Sequence, residues 1–139
     1  MRIPAVIVLV ALLVVGCWHG GLRTSYDKLL REVTRDYYNL LMWKYYDRCA
    51  GFIREQDRAG FAQFASRYGE DLNITSHKIE GIVYSPDKKE ATVTVAVTYY
   101  FYPSVTEKRI VIKDRWKRQG RMWFLIEPSY GDIFAVESQ

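Results

Sequence analysis

The sequence predicts an α+β fold: an N-terminal signal segment, then a long helix and a short helix packed on a curved four-stranded antiparallel sheet, cone-like in outline. Three observations predict it. Apolar residues recur at spacings of three and four from Leu29 to Ile53, the period of a helix. From Asn73 the period changes to two, the period of a half-buried strand. The chain has 139 residues, 49% apolar and 26% charged, which is one domain of globular composition rather than a disordered tract.

The chain opens on Met1-Arg2, followed by an almost unbroken apolar run from Ile3 to Val15. Such a run is short of the roughly 20 residues of a bilayer span and reads as a secretory signal. It ends on Val14-Val15-Gly16-Cys17. This tetrapeptide resembles the bacterial lipobox. The resemblance implies cleavage before Cys17, diacylglyceryl attachment to its sulfur and acylation, palmitate included, of the new amino terminus. Several acyl chains on one residue hold a protein stably where one would be marginal. Trp18, rather than Asp, follows the cysteine, and by the lipoprotein sorting rule this points to the outer membrane, facing the periplasm. The expected division is therefore residues 1–16 as signal peptide, 17–24 as lipidated tether and 25–139 as the domain. An ordinary signal peptide with a chance cysteine is the alternative.

The first helix is expected to start at Thr24-Ser25-Tyr26-Asp27, a hydroxyl cap with a carboxylate three residues on. Its stripe comprises Leu29, Leu30, Val33, Tyr37, Leu40, Leu41, Tyr45, Cys49, Phe52 and Ile53, so one continuous helix is expected as far as Ile53. Asp57 should cap a second helix carrying Phe61, Phe64 and Tyr68, with Gly69 as its stop. Strands are expected from Ile74 to Tyr84, Ala91 to Tyr102, Lys108 to Arg118 and Met122 to Ile126. Ser85-Pro86-Asp87, Pro103-Ser104 and Gln119-Gly120 supply the turns between them.

This order resembles the nuclear-transport-factor-2-like (cystatin-like) cone. Tyr37-Tyr38 on the first helix, the passage from Phe52 to Phe61 and the Trp116–Trp123 hairpin carry the resemblance over roughly Tyr26 to Pro128. It implies a pocket open at one end of the cone. Members of the family include isomerases, dehydratases and epoxide hydrolases as well as non-catalytic binding or dimerisation modules, so fold alone does not select a function.

Two histidines and two cysteines leave no repeated ligand spacing, so neither a metal nor another cofactor is expected. Alternation on the third strand aims Asp114 inward with Ile110, Ile112 and Trp116. Desolvation would then raise its pKa and make it a candidate general base, with Tyr99 on the neighbouring strand as hydrogen-bond donor. The alternative is an ion pair between Asp114 and an arginine at the sheet edge. His77, on the face of Thr75, Ile79 and Val83, is a lone base or a half-buried structural residue. His19 is expected in solvent. Cys49 reads as a small buried hydrophobe, or, if exposed in an oxidising envelope, as a thiol open to intermolecular disulfide formation.

The stretch Lys108–Arg121 is strongly basic. It reads as a solvated strand face or a contact for anionic headgroups or an acidic partner, and an exported protein makes nucleic acid an unsuitable one. Aromatic residues make up 15% of the chain, many of them on the strands. Tyr100, Tyr102, Val111 and Trp123 are the expected interface residues on the outer sheet face, covered by a second copy, a partner or the C-terminal tail through Ile133 and Phe134. Asn73-Ile74-Thr75 matches a glycosylation sequon, a coincidence of strand composition in a lipoprotein. The expected function is that of a membrane-anchored envelope lipoprotein with a non-catalytic domain that binds a small apolar ligand or an envelope protein. The alternatives are a small pocket enzyme of hydrolase, isomerase or dehydratase type using Asp114 with Tyr99, and a structural homodimerisation module.

Overall fold

The computed structural model describes residues 21–129 and Phe134, with side chains from Ser25 onward. The expected signal segment, Cys17, His19 and Ile133 lie outside the described residues. Helices α1 (Gly21–Met42), α2 (Tyr46–Cys49) and α3 (Arg58–Tyr68) precede strands β1 (Leu72–Tyr84), β2 (Glu90–Phe101), β3 (Lys108–Gln119) and β4 (Met122–Ile126). The strands form one antiparallel sheet in the order β1-β2-β3-β4. The expected α+β fold is the fold observed.

Helix α1 begins at Gly21, so Gly21–Thr24, expected in the tether, are helical and Thr24 falls inside the helix. Its buried line is Leu30, Thr34, Tyr37, Tyr38 and Leu41, four- and three-residue steps that keep one face on the sheet. The helix does not run on to Ile53. It ends in a Schellman motif: Tyr45 N–H donates to Leu40 O at 2.9 Å and Lys44 N–H to Leu41 O at 3.1 Å, with Lys44 left-handed at φ 61°. The apolar stripe continues across this break because α2 and the 3₁₀ turn at Ala50–Phe52 bury Cys49 and Ile53 on the same core.

Asp57 precedes α3 as expected, but its side chain makes no cap bond. Its carboxylate instead accepts from Arg54 Nε at 2.8 Å and from the backbone N–H of Glu127 at 3.2 Å, tying the helical layer to the end of β4. Gly69 stops α3 with an ordinary right-handed φ of −63°. Its reason is close approach: a Cβ there would lie 2.7 Å from Cε2 of the Tyr46 ring, and the Tyr46 hydroxyl donates to Gly69 O at 2.7 Å.

Two register shifts in β1, between Ile74 and Ser76 and between Ile79 and Gly81, bend the sheet. They also alter which residues face inward. Ile74, His77, Ile79 and Ile82 turn towards the helices, whereas Thr75 and Val83 are exposed. Strand β4 is guarded at its edge by Ile53, which bridges Leu125, and by Arg54 N–H donating to Leu125 O at 2.9 Å. Phe134 returns to the core, 4.5 Å from the Tyr99 ring and 6.4 Å from that of Phe64. This end of the tail therefore fills the inner side rather than covering the outer sheet face.

Candidate functional site

On β3 the expected parity holds: Ile112, Asp114 and Trp116 are buried, and Lys113, Arg115 and Lys117 between them are exposed. Asp114 is 1% exposed. Its partner is Tyr38, whose hydroxyl donates to Oδ2 at 2.5 Å from the facing side of α1. Among the described residues Oδ1 has no hydrogen-bond partner, and neither do Thr34 Oγ1 and Trp116 Nε1 on the same two elements. Burial pushes the Asp114 pKa up to about 7, partly offset by the Tyr38 hydrogen bond, which favours the charged form.

Neither expected partner of Asp114 is the observed one. Across the sheet Asp114 pairs with Val93, whereas Tyr99 pairs with Lys108. Six residues along a strand place Tyr99 about 20 Å away, and its ring packs on Phe101 and Phe134. The alternative ion pair is not formed either. Arg115 lies on the opposite sheet face, bonded to Glu127 at 2.7 Å.

Tyr38 also links Asp114 to the histidine. The His77 ring lies 5.6 Å from the Tyr38 ring, tilted by 31°, and His77 Nε2 is 2.8 Å from Asn39 Oδ1. That bond requires the proton on Nε2. Desolvation lowers the His77 pKa and so favours the neutral ring. Two hydrogen-bonded pairs, Asn39–His77 and Tyr38–Asp114, thus meet at a ring contact between His77 and Tyr38. Tyr38 and Asn39 were not expected there. The available signal was the four-residue step from Thr34 to Tyr38, which puts both on the line of Leu30 and Leu41.

Cys49 is buried, with Sγ 3.9 Å from Tyr37 O. Desolvation pushes its thiol up to about 12, which suits a core residue and not a nucleophile or an intermolecular disulfide. Among the described residues no cluster of His, Cys, Asp or Glu could hold a metal ion. A recess of about 400 Å³ lies at the α1–α2 corner, lined by Lys44 to Arg48. It is a surface notch that Asp114 does not line.

The expected interface residues divide. Tyr102 is 64% exposed and Val111 42%, and Tyr100 is half-buried. Trp123 is 2% exposed and belongs to the inner core, 6.1 Å from the Tyr84 ring; it does not face outward. The outer face of β4 is already partly covered within one chain, since Ile126 is only 3% exposed. The remainder of that face carries Thr92, Thr94 and Thr98 beside Arg109, Lys113, Arg115 and Lys117, a polar surface with Arg109 paired to Glu80.

The fold and site define a helix-on-sheet α+β domain with a sealed carboxyl–phenol pair. No protein-family model matches the chain, and no curated protein does. Among solved structures it is similar to a SEC-C motif-containing protein from Rhodopseudomonas palustris, with a TM-score of 0.59 at 14% identity, over 76% of this chain and 88% of that one. It is also similar to a Mycobacterium tuberculosis protein of unknown function, with a TM-score of 0.56 at 16% identity, over 76% and 72% respectively. At these identities the likeness is one of fold.

Proposed function

We propose that this chain is a bacterial envelope lipoprotein, anchored through Cys17 in the outer membrane and facing the periplasm, whose domain binds and does not catalyse. The observation that carries the reading is Val14-Val15-Gly16-Cys17 at the close of a short apolar run. The start of α1 at Gly21 leaves only Trp18-His19-Gly20 between anchor and domain, so the domain stands against the bilayer. Among the described residues no helix is long and apolar enough to cross a membrane.

Burial of Asp114 supports the non-catalytic part. A general base must come within hydrogen-bond reach of its substrate, and Asp114 and Tyr38 are sealed beneath α1. The order of elements supports a nuclear-transport-factor-2-like cone, here with the acid buried against α1. The end of the domain away from the start of α1 supports contact with an envelope protein. Trp43 and Tyr45 are 70% and 53% exposed there. The Lys44–Glu70 contact and the Tyr102 N–H to Asp71 O bond bring exposed Tyr102 and Val105 to the same end. Exposed aromatics of this kind are enriched at the centres of interfaces.

Labelling cells with a traceable fatty acid tests the anchor. The wild-type chain is expected to take up label and the Cys17→Ala variant to lose it; equal labelling of the two would refute the reading.

A further inference from the structure

We infer that the end of the domain around the start of α1 is a membrane-facing surface that recognises anionic lipid headgroups. This deepens the lipoprotein reading and rests on it for the orientation of the chain. Three contacts assemble the surface. The Arg118 guanidinium lies 4.5 Å over the Tyr26 ring, fastening the β3–β4 hairpin to the first turns of α1. The Tyr84 hydroxyl donates to Asp27 Oδ1 at 2.8 Å, fastening the end of β1 to the same turns. Arg118 N–H donates to Lys89 O at 2.7 Å, joining the β1–β2 turn to the hairpin.

The side chains gathered there are mostly cationic. Lys88, Lys89, Lys117 and Arg121 are all exposed, and none makes an ion pair among the described residues. The acids present are already engaged. Asp87 accepts from Ser85 Oγ and Lys89 N–H within its own turn. Asp27 is held by Tyr84 and Arg31, and Glu90 lies 3.9 Å from Arg115. Met122, 62% exposed at the hairpin tip beside Arg121, and Val83, 72% exposed, add apolar contact at headgroup level. The opposite end has no such bias: Lys44, Arg48, Arg67 and Lys108 are interleaved with Asp47, Glu70, Asp71 and Glu107. A cluster of exposed cations on the side where the tether emerges, against a balanced mixture of charges at the other end, matches the sign of an anionic leaflet.

Amine footprinting of the full chain on vesicles tests this, read by mass spectrometry alongside vesicle flotation. With about 30% anionic phospholipid, Lys88, Lys89 and Lys117 are expected to react at least about fivefold more slowly than on zwitterionic vesicles, with Lys108 unchanged. About 0.5 M salt should remove the protection, since it shortens the screening length to a few ångströms. A folded Lys88→Glu/Lys89→Glu/Arg121→Glu variant should lose the protection at Lys117. Equal reactivity on both vesicle types, or protection at Lys108 instead, would overturn the inference while flotation with both vesicle types kept the anchor. Flotation with anionic vesicles alone would remove the anchor and keep the surface; flotation with neither would remove both.

Discussion

Asp114 concentrates the electrostatic tension of the molecule. A carboxyl without solvent and with one phenolic donor is more easily kept neutral than charged. With a folded pKa of about 7 against an ordinary value of 3.8, the folded state holds its proton where the unfolded chain has released it. The stability this confers is complete below about pH 4 and is lost as pH rises through 7. Thermal unfolding of wild type and Asp114→Asn across pH 4 to 8 should show the difference. The wild type is expected to lose a few kcal/mol relative to the variant over that range; parallel pH profiles would refute the assignment. Tyr38→Phe removes the one donor to the carboxylate among the described residues, so it is expected to cost more at pH 8 than at pH 5, by about 1–3 kcal/mol. An equal cost at both pH values would mean that the hydroxyl only packs.

At the scale of elements, the strands were legible and the helix ends were not. Alternation on β2 and β3 placed Val93, Val95, Ile112 and Asp114 inward because one face of that sheet meets the helices. Strand β1 was misread from Thr75 to Val83, since two bulges reset its parity and no glycine or proline marks the first of them. The end of α1 was missed for a similar reason: the residue taking the left-handed conformation is Lys44, where glycine is the usual signal. Replacing Lys44 by Val should therefore lower stability by about 1–2 kcal/mol, whereas Lys44→Gly should not lower it. Comparison of their melting temperatures checks this. Phe134 was expected to turn back but not to the inner side. Its place among Tyr99, Phe64 and Phe101 makes Phe134→Ala an expected loss of about 3–5 kcal/mol in denaturant unfolding.

Across the whole molecule, the inward acid was legible from parity alone, but its partner was not, because Tyr38 reaches it from an element 76 residues away in the chain. The same long-range packing converts a basic run in the sequence into two surfaces. Arg109 and Arg115 are paired on the sheet face, while Lys88, Lys89, Lys117 and Arg121 cluster exposed at one end with no ion pair among the described residues. A buried carboxyl–phenol pair, a cationic end beside the start of α1 and exposed aromatics at the other end suit the proposed role of a domain that is held at a membrane and binds. The proposed envelope role requires a lipid on Cys17. The intact mass of the protein extracted from membranes tests that requirement most directly. The expected mass is that of residues 17–139 plus diacylglyceryl and an amino-terminal acyl chain. A mass equal to an unmodified chain, whether whole or cleaved, would contradict it.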